Sequence, residues 1–245
     1  MSALSTPSAL LDAWEHGARV PPAARAAVLV HRAGLTSTLD DALDLDVGRC
    51  ADLALLVYRE TFGDVADAVV GCPACGEVVE AQLSVPQTHT VGRGTATAGL
   101  FGSQTSHEQV VGRWVVRAPT TRDLLVAARG QDDAKEVLLS RCVTSVATGA
   151  DLSRLTAEEL TELDAAAEDL AGSAVLTSTL TCHGCGEVSQ IAYDVGMVLW
   201  DQIEITAPAL LADVATLARA FGWGEAEVLA LSETRRRAYL TLVAR

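Results

Sequence analysis

Two short stretches decide how this chain folds: GCPACGE, from Gly71 to Glu77, and TCHGCGE, from Thr181 to Glu187. Each contains Cys-x-x-Cys-Gly-Glu, and 106 residues, 76 to 181, separate Cys75 from Cys182. A Cys-x-x-Cys turn presents two sulfurs on one side of a tight knuckle. Two such turns supply the four thiolates that complete a tetrahedral zinc site, with Zn–S distances of about 2.3 Å. Gly76 and Gly186 follow the second cysteine of each turn, where a left-handed or closely approaching backbone lets amides point at the sulfurs. Cys72, Cys75, Cys182 and Cys185 are therefore the candidate ligands of one structural zinc ion per chain. Closing so long a loop costs only logarithmically in its length, and structural zinc contributes on the order of 10–16 kcal/mol of apparent binding energy in small peptides.

Other uses of the clips fit less well. A thioredoxin-type redox centre places one Cys-x-x-Cys at a helix N-terminus in a βαβ unit, and neither clip has that setting. A catalytic zinc needs an open position and a general base, whereas four cysteines close the shell and no His-Glu-x-x-His occurs. His183 lies inside the second clip, but two complete cysteine pairs make it superfluous as a ligand. The remaining cysteines, Cys50 and Cys142, each follow an arginine in a helical segment and read as small buried core residues.

Working outward, the clips interrupt strands and the strands interrupt helices. Residues 1–63 read as helical: a first helix carries Leu10, Leu11 and Trp14 and stops at Gly17. A second is opened by Pro21 and Pro22 and stopped by Gly34, and a short third lies near Ser37–Leu43. The fourth runs from about Val47 to Thr61, with Leu53, Leu56 and Val57 inward and Gly63 at its end. Residues 64–85 read as strand, knuckle, strand, with Val79, Ala81, Leu83 and Val85 on one face. Residues 86–112, rich in Gly and Thr, read as a long loop or hairpin, and RWVVRA (113–118) as a short strand ended by Pro119. Residues 119–171 return to helix: Thr120 or Thr121 caps one, Asp132 or Asp133 caps AKEVLLSRCVTSVA, and Thr156 with Glu159 makes a capping box for a third. Residues 174–195 repeat the strand–clip–strand unit. Residues 196–245 are helical, with MVLWDQIEI leading into PALLADVATLARAFGW, and with Gly224 and Ser232 as later N-caps. The expected fold is α+β: a single domain over 1–245, mainly helical, with a small antiparallel zinc-ribbon element formed by the two separated hairpins.

Composition bounds the function. The 245 residues are 49% hydrophobic and 20% charged, a globular balance, and only 4% are aromatic. The net charge of −14 repels phosphate backbones and anionic headgroups, which argues against nucleic-acid and membrane partners. The N-terminus has no signal-peptide pattern and no uncharged apolar run reaches about 18 residues, so a cytoplasmic chain with reduced thiols is expected. Arg235, Arg236 and Arg237 form the one dense basic run. It reads either as a patch for an acidic partner surface or as a helix whose arginines pair with nearby acids. Trp14, Trp114, Trp200 and Trp223 are expected mostly in the core. His89 and His107 have no ligand partner at useful spacing. Neither a nucleophile-elbow pattern nor a Walker-type phosphate loop occurs.

The order LLDAWEHG, PPAARAAVLV, GRCADLALLVYRETFG and CPACGE resembles the baseplate hub assembly chaperone family of T-even-like contractile-tailed phages, which also occurs in related bacterial contractile injection systems. In the second half the resemblance continues through RWVVRAPTTRDLLVAA, LLSRCV, the second clip, VLWDQI and FGWGEAEVLALSETRRRAYLTLV. It spans about Leu10 to Val243 and is most specific from Phe221 to Leu242, together with the paired clips. Segment 86–112 departs from it, being longer and richer in Gly and Thr than the family pattern. The resemblance implies a non-enzymatic role, with no catalytic residues to carry over: helping to assemble the hub, with hub or spike proteins as partners. A minor structural place in the mature baseplate is the alternative. A zinc-ribbon regulator that binds nucleic acid and an enzyme with a disguised site are the readings from other classes.

Overall fold

Helical spacing between strong start and stop signals organises the first part of the chain. The computed structural model describes residues 3–85, 108–129, 134–145 and 155–244. Helix α1 (Pro7–Ala18) begins at Thr6, whose hydroxyl accepts from the Ala9 amide, and has Pro in its first turn. Gly17, expected to stop this helix, lies instead inside its last turn and is buried. A Cβ there would run into the ring of Trp200, so packing, not chain reversal, requires glycine. Helix α2 (Pro22–Arg32) is followed by Gly34 at φ +78°, and α3 (Leu39–Leu43) opens with a Thr38–Asp41 capping box. Helix α4 (Val47–Phe62) is capped by Asp46 and ends at Gly63. Its buried side is Cys50, Ala51, Ala54, Leu55, Val57 and Tyr58. Of the expected inward stripe, Val57 is buried, whereas Leu53 and Leu56 are half-buried. The helix is rotated because its small residues allow close approach: a Cβ on Gly48 would lie 2.7 Å from the Ala171 carbonyl oxygen.

Strands β1 (Val65–Gly71) and β2 (Val78–Ser84) form an antiparallel hairpin in which Gly71 faces Val78 across the first clip. Val79 and Val85 are buried, as the alternation predicts. Most of the expected 86–112 loop, residues 86–107, lies outside the described residues. Its last part is a strand: β3 (Glu108–Val111) pairs with β4 (Trp114–Arg117) around Gly112. Helix α5 (Thr121–Ala127) opens with a Thr120–Asp123 capping box. The expected caps Asp132 and Asp133 fall outside the described residues. Helix α6 (Ala134–Cys142) is shorter than its sequence suggests. Val143–Ser145 leave it as strand β5, with Val143 opposite Val116 and Ser145 opposite Trp114. Val143 and Thr144 are β-branched, and the open edge of β4 offers them ladder partners, so tertiary pairing overrides local helix propensity. Helix α7 (Ala157–Ala171), with its Thr156–Glu159 capping box, covers this sheet. Leu163 and Ala166 pack there with Trp114, Val116 and Val143 in a second, small core.

Strands β6 (Val175–Thr181) and β7 (Val188–Asp194) repeat the first hairpin, with Thr181 opposite Val188 across the second clip. Asp194 then caps α8 (Val195–Phe221), a single helix of 27 residues that carries Pro208 in its interior and ends at left-handed Gly222. By length and composition α8 could cross a membrane, and a third of its most apolar window is buried. It forms the axis of the main core. Leu199, Trp200, Ile203, Ala207 and Leu210 pack with Leu10, Leu11 and Ala13 of α1, Leu29 and Val30 of α2, and Leu55 and Tyr58 of α4. Short α9 (Glu225–Leu229) and α10 (Glu233–Val243) fold back on it; the Gly224 amide donates to Glu227 and Ser232 caps α10. Trp14 is half-buried against the main core, Trp114 and Trp200 are fully buried, and Trp223 is half-buried elsewhere. Cys50 and Cys142 are both buried, and burial pushes each thiol up to about 11, as expected of inert core residues.

One buried charge ties the smaller layer together. Asp123, 1% exposed, accepts from Arg117 Nη1 and Arg141 Nε, each at 2.6 Å, and from the Thr120 amide at 2.9 Å. The capping-box spacing is visible in the sequence, but the two arginines reach Asp123 only through the pairing of β4 and the return of α6. Burial pushes the Asp123 carboxyl up, but the Arg117, Thr120 and Arg141 hydrogen bonds outweigh it and hold it well below the usual carboxylate range. The contribution is therefore fully present above the unfolded carboxyl value of about 3.9 and is lost as pH falls below it toward the depressed folded value. Asp123→Asn is expected to cost roughly 2–3 kcal/mol at neutral pH, less than a fully buried pair because both arginines remain partly in water. Urea unfolding of both proteins across about pH 2–7 checks this, with the difference shrinking in acid.

Candidate metal centre

Both knuckles are built by the same backbone contacts. In the first, the Cys72 amide donates to the Glu77 carbonyl at 2.8 Å and the Gly76 amide to the Cys72 carbonyl at 2.8 Å. In the second, Cys182 donates to Glu187 at 2.9 Å and Gly186 to Cys182 at 2.9 Å. Gly76 and Gly186 share φ +76°, a left-handed conformation that L side chains rarely adopt, which explains the glycine after each second cysteine.

The fold brings the two knuckles tip to tip. Cys72 Sγ lies 3.8 Å from Cys185 Sγ, Cys75 Sγ lies 3.7 Å from Cys182 Sγ, and all four sulfurs fall within 4.8 Å of one another. A tetrahedron of thiolates around a metal at about 2.3 Å has sulfur–sulfur edges of about 3.8 Å, so the observed spacing suits four-sulfur coordination. A Cβ on Gly184 would come within 3.3 Å of Glu77 Cγ, a measure of how closely the second knuckle approaches the first. Cys72 and Cys182 are buried and Cys75 and Cys185 exposed, so one side of the cluster faces protein and the other water. The buried pair packs with Val79 and Leu180, flanked by Val70 and Ile191. His183 is exposed, and the cluster that could hold a metal consists of the four sulfurs.

The electrostatics of the cluster favour a cation. The Cys185 amide, followed by that of Gly184, pulls the Cys182 thiol down to about 7 against the effect of burial. The Glu77 amide lowers Cys75, but the crowding of the other sulfurs outweighs it and pushes that thiol up to about 12. The Glu187 amide acts in the same way on Cys185, and there too the net shift is upward. Cys182 is thus eased toward its thiolate, while Cys75 and Cys185 are held back from theirs by burial and by the sulfurs around them. Neither hairpin, 64–85 or 174–195, contains a lysine or arginine. A bound divalent ion would supply the missing positive charge.

The three arginines of α10 separate. Arg236 is buried and its Nε donates to Asp213 of α8 at 3.0 Å, while Arg237 pairs with Glu233 at 2.5 Å and Arg235 is exposed. Consecutive helical residues point about 100° apart, so the run does not make one continuous basic face. Beside it is a feature that the expectation of core tryptophans misses. Trp223 stacks on Phe221 at 4.8 Å between centroids and meets the edge of Tyr239 at the same distance. The close spacing of Phe221 and Trp223 around Gly222 is legible in the sequence; the return of Tyr239 from α10 is not. No family model matches the chain, and no curated protein or solved structure matches it either.

Proposed function

We propose that this chain is a non-enzymatic, zinc-binding protein that assists assembly of the baseplate hub in a phage-like contractile tail or contractile injection system, acting in the cytoplasm on a hub or spike protein. The observation that carries this reading is the occurrence in one chain of the paired Cys-x-x-Cys-Gly-Glu clips and the stretch from Phe221 to Leu242, in the order that resembles the hub assembly chaperone family. Zinc is the metal that four cysteines in tetrahedral array suit best in this reading, with the two hairpins meeting as a zinc ribbon and no open position for catalysis. The net charge of −14 and the absence of Lys and Arg from both hairpins weigh against the use of such a ribbon on nucleic acid. Ile205, Leu211 and Phe221 on α8 and Leu242 on α10 are exposed apolar side chains, the material from which a partner-covering surface is made.

The test is to separate sheath-containing particles from soluble protein in the native producer and to quantify this chain in both by mass spectrometry. The expected result is a soluble pool in which the chain co-purifies with a hub or spike protein, with none in washed particles. A fixed stoichiometry in washed particles would replace the assembly factor with a structural baseplate subunit. Absence of the chain from washed particles together with absence of any tail protein from the soluble complex would overturn both.

A further inference from the structure

The four sulfurs join two hairpins that, among the described residues, share no backbone ladder, and this says what a metal there controls. We infer that the centre is a clasp: metal binding docks the tips of the two hairpins on each other, and metal removal parts them while the helical body stays folded. The inference rests on the metal-binding element of the function proposed above and not on the identity of the partner.

The hairpins are anchored at their roots and weakly held at their tips. Ala66 and Val85 at the base of the first, and Tyr193 and Val195 at the base of the second, belong to the main helical core. The tips have a separate cluster of four buried residues, Cys72, Val79, Leu180 and Cys182, and two of those four are ligands. Among the described residues the backbone ladders are internal to each hairpin: β1 pairs with β2 and β6 with β7, and no ladder crosses between them. Without a cation, the tips are left with a small apolar contact, Val79 and Leu180 flanked by Val70 and Ile191, and the approach of Gly184 to Glu77. Glu77 and Glu187 sit at the two tips, and neither hairpin carries a lysine or arginine to offset them. Exposure of Cys75 and Cys185 leaves the metal within reach of a chelator without prior unfolding. The core of the helical body is filled mainly by α1, α2, α4 and α8; the hairpins enter it with root residues such as Ala66, Val85 and Tyr193, and none of the four clustered cysteines belongs to it.

The experiment is hydrogen exchange read by mass spectrometry on the full chain, zinc-loaded, after chelation, and after zinc is restored, with zinc content measured first. The expected result is amide exchange about 100-fold faster or more across 72–84 and 176–190 on chelation, reversed by zinc, with 50–60 and 199–217 unchanged. Loss of protection throughout the chain would mean that the metal holds the whole fold, and unchanged hairpins would mean that the tips hold themselves; either overturns the clasp while leaving the metal site standing. A chain that takes up no zinc would overturn the metal reading itself and the clasp with it.

Discussion

Replacement of Cys182 and Cys185 by serine is expected to take the zinc content from one equivalent per chain to none. The double variant leaves Cys72 and Cys75 in an intact first knuckle, so the change tests whether the second clip ligates. A serine hydroxyl does not ionise near neutral pH and is a poor replacement for a thiolate on a soft, tetrahedral ion. Loss of about half of the roughly 10–16 kcal/mol typical of structural sites corresponds to a site weaker by about 10⁴-fold or more, below what survives purification. Elemental analysis of the purified variant and competition with a chromogenic chelator read the result. Replacing Cys50 and Cys142 by serine is the control and should leave zinc unchanged, since neither sulfur belongs to the cluster of four. Normal zinc content in the Cys182/Cys185 variant would sink the four-cysteine site.

Trp200→Ala should be the most damaging single change in the helical body. The ring is 2% exposed and fills the space that Gly17 of α1 leaves open against α8. The Arg25 guanidinium lies over it at 4.4 Å, and its Nε1 donates to Glu204 at 3.1 Å. Truncation removes the apolar burial and leaves a cavity that the surrounding helices only partly close, for an expected loss of about 3–5 kcal/mol. In a domain of this size that lowers the melting temperature by roughly 6–20 °C. Thermal unfolding followed by far-UV circular dichroism gives the value. Trp200→Phe, which keeps most of the volume, should cost less than half as much; equal losses for both variants would assign the effect to the indole hydrogen bond instead of to packing.

Local chemistry makes the termini of elements legible in the sequence. Thr38, Asp46, Thr120, Thr156, Gly224 and Ser232 begin helices because short polar side chains, or glycine, suit the non-helical residue before a first turn, and that preference is written in a few neighbouring residues. The candidate ligand set is legible for the same reason: each clip is a local motif, and its glycine at φ +76° is demanded by the knuckle itself. Tertiary structure decides what depends on a distant partner. Val143–Ser145 become strand because β4 presents an edge, Glu108–Val111 because β4 can fold back on it, and α4 turns its small residues inward because Ala171 comes close to Gly48. The arginine run is divided by its helix, and Arg236 finds Asp213 across the α8–α10 contact. Sequence alone determined which sulfurs are suited to a metal and where the knuckles bend, since those depend on interactions within a few residues. Only the tertiary structure determined that the two knuckles meet, because the helical core must first bring the roots of the hairpins side by side before four sulfurs can lie within 4.8 Å.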